Sequence, residues 1–348
     1  MISVIQNLFL GNSPIWYKKT IVTFLVINPI ALLVLNSLGM NGNFIVGWMF
    51  LLEFIFTLAL ALKCYPLQPG GLLAIQAIVL GLTSTKAIYY EIEHNLEVIL
   101  LLVFMVAGIY FMKNLMLAIF TKLLLKVDSK IYLSLMFCFS AAVLSAFLDA
   151  LTVTAVLIGV TIGFYRIYHT VSSGKDFGDI SHNYNDNSSL NSVGLDDLEK
   201  FKAFLRDLVM HGAVGTALGG VCTIVGEPQN LLIAKVAGWE FIEFFLRMAP
   251  VTMPVFIAGL ITCYCIERFS LAGFGSQLPE SVRNVFNDFD TYERENTTLE
   301  QKTELFIEMC VALFLVLALA LHVAAVGLIG LAVIILLTAF KGITEEHN

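Results

Sequence analysis

Apolar residues form long runs along the chain, and shorter polar stretches separate these runs. A helix needs about 20 mainly apolar residues to cross the hydrocarbon core of a membrane, and the longer runs approach or reach that length. Apolar spans are predicted at residues 21–35, 44–62, 70–82, 96–112, 208–234, 241–266, 305–321 and 326–340. The pattern therefore predicts an all-α polytopic membrane protein.

The central stretch, residues 131–165, contains one charged side chain, Asp149, between two apolar arms. Small and hydroxyl side chains such as Ala150 and Thr152 surround this acid. An aspartate inside a membrane segment costs roughly 2.5–3.5 kcal/mol on insertion scales, so it normally faces a cavity or a partner. The sequence therefore predicts an ion or proton site at Asp149.

Positive charges predict the orientation of this central stretch. Lysines between residues 113 and 130 precede it and basic residues between 166 and 175 follow it, which places both of its ends in the cytoplasm. Either two full helices turn near Asp149, or two shorter arms form a re-entrant hairpin. The polar tip favours the hairpin, because irregular backbone at membrane depth must line a cavity or be buried in protein. Lys18 and Lys19 place the N-terminus on the cytoplasmic side as well.

A second interruption is predicted in the segment 208–238. Gly219 and Gly220 are followed by the run Gly226-Glu227-Pro228-Gln229-Asn230. Proline removes a backbone donor and clashes with the preceding turn, so a regular helix does not continue through this run. Discontinuous helices at mid-membrane are the parts from which secondary transporters build ion sites, because half-helix N-termini and unwound carbonyls offer partial charges.

Composition narrows the class of protein further. The chain is 58% hydrophobic and 14% charged, whereas soluble domains carry nearer 25% charged residues. It contains no basic cluster with interleaved aromatic residues, so nucleic-acid binding is not expected. Its cysteines lie mostly in apolar runs without metal-ligand spacing, and no paired catalytic side chains stand out. We therefore expect neither an enzyme nor a cofactor.

Three motifs carry a resemblance to a known family. The order of an apolar arm, the tip Phe147–Thr152, a polar linker and then Gly226–Asn230 resembles the ion transporter superfamily, which includes sodium/dicarboxylate and arsenite carriers. Together with the run Ala107–Lys113, these motifs look like bacterial NhaB-type sodium/proton antiporters. The resemblance extends over essentially the whole chain, and its two central motifs are specific in combination.

The resemblance implies a fold of two inverted repeats, each with a re-entrant hairpin and a broken helix. On that pattern, residues 1–266 form the N-terminal repeat, residues 267–304 a polar cytoplasmic loop, and residues 305–348 the first two spans of a second repeat. The second repeat is then incomplete. A single repeat does not form an ion path, so the 348-residue chain alone is expected to give no exchange.

The site residues rank by how well each fits a cation site. Asp149 is the main candidate, since a structural acid would not need its isolated position at the tip. Thr152 and Thr154 offer hydroxyl oxygens, although such hydroxyls often bond their own helix backbone. The resemblance implies that Thr223 and Asn230 line a sodium site. Na⁺ is therefore expected at Asp149, Thr152 and Asn230.

Three further candidates are weaker. Glu227 is a second titrating group or a carboxylate that caps the following half-helix, and the position favours the cap. Glu53 is an unpaired acid in mid-span. His211 titrates near neutral pH and suits a pH sensor, but a hydrogen-bonded histidine near the end of a span is commoner.

Competition for one carboxylate gives the expected function. Burial disfavours the ionised form of a carboxylic acid, so Na⁺ and H⁺ compete for the same oxygen atoms. The chain is expected to perform sodium/proton antiport across the bacterial inner membrane, with Na⁺, H⁺ and the lipid bilayer as partners. Li⁺ as a cargo and a homo-oligomer are left open. The alternatives are a sodium-coupled anion symporter, in which Asp149 would repel the anion, and an inactive fragment.

Overall fold

The computed structural model describes residues 8–61, 63–100, 103–104, 108, 112–148, 150–176, 184 and 192–341. Its described residues are helical or irregular, without strands. The helices are α1 Ile15–Ser37, α2 Gly42–Ala59, α3 Leu67–Val79, α4 Thr85–His94, α5 Leu96–Leu100, α6 Lys113–Lys126, α7 Lys130–Phe147, α8 Ala150–Ser172, α9 Ser192–Gly220, α10 Pro228–Ala237, α11 Phe241–Arg268, α12 Glu280–Asn296, α13 Leu299–Ala320 and α14 Val326–Lys341.

Five of these helices are long and apolar enough to cross a membrane, namely α1, α2, α7, α11 and α13. Helices α3 and α14 are apolar but shorter. Nearly half of the predicted span 96–112 lies outside the described residues, which here comprise α5 and positions 103, 104, 108 and 112. The all-α architecture and the multi-pass membrane class predicted from the apolar runs are confirmed.

The chain divides into two compact units, residues 1–95 and residues 96–348. In the first unit, α1 packs on α2, with Tyr17 stacked on Phe56 at 6.0 Å between ring centroids. The α1–α2 turn is closed by the side chain of Asn41, which accepts the backbone N–H of Phe44 and so caps α2. The boundary at residue 95 was not predicted, because the resemblance treated residues 1–266 as one repeat.

In the second unit, α9 is the central helix, and it runs parallel to α7. Three pairs of residues, each separated by 77 positions, are in contact: Lys130 with Asp207, Ala142 with Gly219, and Ala146 with Thr223. The helices approach so closely that a Cβ on Gly219 would lie 1.9 Å from the carbonyl oxygen of Ala142. Small residues at four-residue spacing permit such backbone contact between membrane helices.

Helix α8 packs on the same helix α9 in the opposite direction. Thr154 lies 3.3 Å from Thr216 between hydroxyl oxygens, and Tyr168 contacts Phe201 with ring centroids 5.6 Å apart. Because α7 is parallel and α8 antiparallel to α9, the two form a helical hairpin. Its open end lies beside the first half of α9, and its closed end lies at Leu148, near the end of α9.

The stretch 267–304, interpreted from the sequence as a polar loop, contains a full helix, α12. Val282 and Phe286 are buried on one face of α12, and Phe286 packs edge-on against Phe164 with ring centroids 4.7 Å apart. An amphipathic helix needs only such an apolar stripe to be stable against a core, and its polar face gave the segment the composition of a loop. A capping box at Thr298 and Gln301 then begins α13.

Candidate functional site

Two helix interruptions face each other at the closed end of the hairpin. The first separates α7 from α8, where Leu148 is extended (φ −124°, ψ 155°) and buried. Asp149, the main candidate from the sequence, lies outside the described residues. Thr152 is half-buried in the first turn of α8, three residues after Asp149. The structure therefore leaves the Asp149 prediction untested and describes its surroundings.

The second interruption separates α9 from α10. Helix α9 ends at Gly220, residues 221–227 form turns, and α10 begins with Pro228 as its first helical residue. Proline is well suited to the first helical position, because the missing N–H would have no partner there. The segment thus breaks at the glycine and proline residues that predicted a break.

Thr223 joins the two interruptions. Its hydroxyl donates to the carbonyl oxygen of Ala146, in the last turn of α7, and accepts the N–H of Gly226 at 3.2 Å. Thr223 is buried. Ser145, also buried, donates from its hydroxyl to the carbonyl oxygen of Thr216 at 2.8 Å. One threonine therefore fixes the turn of the second break against the end of the first half-helix.

Asn230 holds the second break from the other side. Its side-chain amide donates to the carbonyl oxygens of Gly220, at 2.9 Å, and Thr223, at 2.8 Å. These carbonyls belong to the end of α9 and to the turn after it, where helical backbone acceptors lack an intrahelical partner. Asn230 and Thr223, the two residues that the resemblance placed at a sodium site, are therefore neighbours in the fold.

Glu227 occupies the N-cap position of α10, but its side chain makes no cap hydrogen bond. Its carboxylate accepts the side-chain amide of Gln229. A Cβ placed on Gly220 would lie 3.2 Å from both Glu227 Oε1 and Ser145 Oγ, so the carboxylate points back toward the end of α9. The prediction that the Glu227 carboxylate caps α10 is therefore wrong, although the residue does occupy the N-cap position.

The interruptions bring together helix ends of opposite polarity. The C-terminal carbonyls of α7 and α9 lie beside the N-termini of α8 and α10. Helix C-termini carry partial negative charge and N-termini partial positive charge, so the region offers oxygen ligands for a cation and donors for an anion. An adjoining cavity of about 340 Å³ is lined by apolar side chains, including Phe147 and Phe241. Thr223 also lines this cavity, but its hydroxyl is engaged by Ala146 and Gly226.

His211 takes part in a separate cluster of the second unit, and Glu53 belongs to the first unit. His211 is buried on α9, with Nε2 3.0 Å from Glu267 Oε1 on α11. The same Glu267 oxygen lies 3.5 Å from Lys130 Nζ, and Lys130 Nζ lies 3.5 Å from Asp207 Oδ2. Sequence reasoning missed this buried ionic cluster. The signal was Asp207 four residues before His211 on one helical face.

Glu53 belongs to the first unit, in the middle of α2. It is 7% exposed and accepts the side-chain amide of Asn28 at 2.8 Å. The interpretation of Glu53 as an acid within a predicted span agrees with its position, since α2 is one of the helices long and apolar enough to cross a membrane.

Discontinuous helices within an all-α, multi-pass fold define this chain as a membrane transporter of the broken-helix type. Comparison with known proteins gives the family. The chain matches the bacterial Na⁺/H⁺ antiporter B (NhaB) family over residues 1–348, and it belongs to that family. No solved structure matches it.

Curated relatives agree with this family. The chain is 58% identical to the Na⁺/H⁺ antiporter NhaB of Marinomonas sp. over 342 residues, which cover 98% of this chain and 67% of the relative. It is 59% identical to that of Shewanella denitrificans (98% of this chain, 63% of the relative) and 60% identical to that of Hahella chejuensis (98% and 66%). The chain spans about two thirds of the length of these relatives.

Proposed function

We propose that this chain carries a Na⁺/H⁺ exchange site of an antiporter in the bacterial inner membrane, with its N-terminus in the cytoplasm. The observation that carries the proposal is the link from Thr223 to Ala146, which holds the break in α9–α10 against the hairpin tip at Leu148. Family membership makes Na⁺ and H⁺ the transported ions. Lys18 and Lys19, near the start of α1, support this orientation of the N-terminus.

In the proposed mechanism, Asp149 is the group for which Na⁺ and H⁺ compete. A bare carboxylate in a low-dielectric site is costly, so it is occupied either by a proton or by a cation. Thr152, Asn230 and the half-helix ends would complete the oxygen set, and Glu227, which points toward the same region, would be a second titrating group. Exchange follows from competition and needs no covalent step.

The hairpin geometry supports a tip inside the membrane. Helix α7 has 18 residues, about 27 Å at 1.5 Å per residue, which is near the lower limit of about 17 residues for a helix that crosses a membrane. Its first residue, Lys130, belongs to the ionic cluster at the open end of the hairpin. A helix of this length crosses the whole core only when it is nearly untilted, whereas membrane helices tilt by about 20° on average, and this favours a tip short of the opposite interface.

The test is substitution of Asp149 in the protein expressed from its native gene. Asp149→Asn keeps size and polarity but removes the titratable charge, so exchange should fall to background at every pH. Asp149→Glu keeps the charge on a longer arm and should retain part of the activity with a changed apparent sodium affinity. Exchange is measured as sodium-dependent collapse of a pH gradient in everted vesicles, with insertion checked by immunoblot. Near-normal exchange by well-inserted Asp149→Asn protein would move the site elsewhere.

A further inference from the structure

A polar cluster lies in the apolar interior of the first unit. It contains one side chain from each of three helices, Asn28 on α1, Glu53 on α2 and Gln76 on α3. Asn28 is fully buried and Glu53 is 7% exposed. Both α1 and α2 are long and apolar enough to cross a membrane. A carboxylate in such surroundings is costly, and it marks a functional site unless a partner neutralises it.

The partners of Glu53 do not neutralise it. Among the described residues, its carboxylate pairs with no basic side chain, and its hydrogen bond comes from the neutral amide of Asn28, at 2.8 Å. The same Asn28 nitrogen donates to Gln76 Oε1 at 3.2 Å. Gln76 in turn donates from Nε2 to the carbonyl oxygen of Leu25 at 2.6 Å, which fixes its Oε1 toward Asn28.

One oxygen of the cluster lacks a partner altogether. Asn28 Oδ1 is buried and accepts no hydrogen bond within the described part of the chain. An unpaired buried polar atom costs about 1–3 kcal/mol, so such atoms usually have a ligand, a water or a function. The cluster thus contains four side-chain oxygens: two from Glu53, one from Asn28 and one from Gln76.

Rotation of the Asn28 amide would bring three of these oxygens together. If the Asn28 amide turns by half a revolution, Oδ1 takes the place of Nδ2, beside Glu53 Oε2 and Gln76 Oε1. Three oxygens at such separations repel one another unless a cation lies between them. Hard cations take oxygen ligands of this kind. The single carboxylate balances one positive charge, so a monovalent ion leaves the buried cluster neutral whereas a divalent ion does not.

We propose that Asn28, Glu53 and Gln76 form a second cation site, which binds one dehydrated monovalent cation of the sodium or lithium kind. When the cation is absent, Glu53 holds a proton, and Asn28 keeps the orientation that donates to it. The site stands on residues of the first unit alone and does not depend on the role proposed for Asp149.

Equilibrium binding of ²²Na⁺ to the purified protein from its native gene tests this site. Glu53→Gln keeps an acceptor for Asn28 and removes the charge, so bound sodium at saturation should fall by about one ion per chain relative to the unsubstituted protein. Glu308→Gln is the matched control, because Glu308 is also buried in a membrane helix and accepts the N–H of Leu115 at 2.6 Å. That control should keep full binding. Unchanged binding by folded Glu53→Gln protein would show that the cluster is only structural and would overturn the proposal.

A second measurement leaves Glu53 intact, in case its substitution prevents folding. In Asp149→Asn protein, sodium should still raise Tm relative to choline, because a ligand that binds only the folded state stabilises it. Absence of any sodium-dependent rise in this variant would overturn the second site. Full sodium binding by Asp149→Asn, with about one ion per chain lost in Glu53→Gln, would instead contradict the role proposed for Asp149 and support the site at Glu53.

Discussion

At the scale of single residues, Thr223 is the side chain that connects the two interruptions. Thr223→Val keeps the shape but removes the hydroxyl, so the carbonyl of Ala146 loses a donor and the N–H of Gly226 loses an acceptor. Leaving such buried groups unpaired costs about 1–3 kcal/mol of stability. We expect a lower Tm in detergent and a higher sodium concentration for half-maximal exchange.

Thr262→Val is the control for this substitution. Thr262 also donates to a backbone carbonyl, that of Ala258 at 2.8 Å, but it is exposed on α11. It should change neither Tm nor exchange. Equal effects of the two variants would mean that the link at Thr223 has no special role.

Sequence reasoning reached the residues of the two interruptions because glycine and proline report backbone geometry directly. Gly220 and Pro228 mark the end of one helix and the start of the next, and Asn230 follows within one turn. The sequence could not predict that the Glu227 side chain makes no cap hydrogen bond to α10, because the position of the carboxylate depends on the packing beside Gly220.

At the scale of elements, the buried ionic cluster ties α7, α9 and α11 together. Lys130→Met would remove the cation shared by Asp207 and Glu267, which keep Arg206 and His211 respectively, so the loss should not exceed the roughly 3–5 kcal/mol of a fully broken buried pair. Adding Glu267→Gln removes the negative charge of one of the two carboxylates that Lys130 contacts. The double variant should therefore be more stable than Lys130→Met alone, a non-additive result that a thermal-unfolding double-mutant cycle measures. Additive losses would indicate that the two side chains do not interact.

The parallel contact between α7 and α9 depends on glycine. Gly219→Ala would place a Cβ 1.9 Å from the carbonyl oxygen of Ala142, a backbone atom that moves only if the two helices separate. We expect a strong fall in Tm and in the yield of folded protein. Gly159→Ala on α8 is the control, because no heavy atom lies within 4 Å of its Cβ position, and it should be neutral or slightly stabilising. A Gly219→Ala protein as stable as the control would contradict this packing.

These elements also show which features the hydrophobic pattern does not predict. The apolar runs predicted α7, α11 and α13, because each must bury or expose to lipid a nearly continuous apolar surface. The sequence pattern predicts a loop at α12, because the apolar stripe formed by Val282 and Phe286 is narrow and the remaining surface of the helix is charged. The ionic cluster was missed because its members come from three helices far apart in the chain.

At the scale of the whole molecule, the hairpin makes a prediction about sidedness. At its open end, the turn after Lys126 and the end of α8 lie beside the same part of α9. Lys126→Cys and Ser173→Cys should therefore react with an impermeant thiol reagent from the same side, the cytoplasmic one. His322 follows α13 beside Glu240 and Phe241, near the closed end, so His322→Cys should react from the opposite side. Each cysteine is introduced into protein without native cysteines and probed in intact cells and in inside-out vesicles. Two full spanning helices would also place both flanks in the cytoplasm, so labelling at Asp149→Cys separates the alternatives: a re-entrant tip should stay unreactive from outside intact cells. Reaction of either flank from outside would contradict the proposed orientation, and ready external labelling of the tip would favour two full helices.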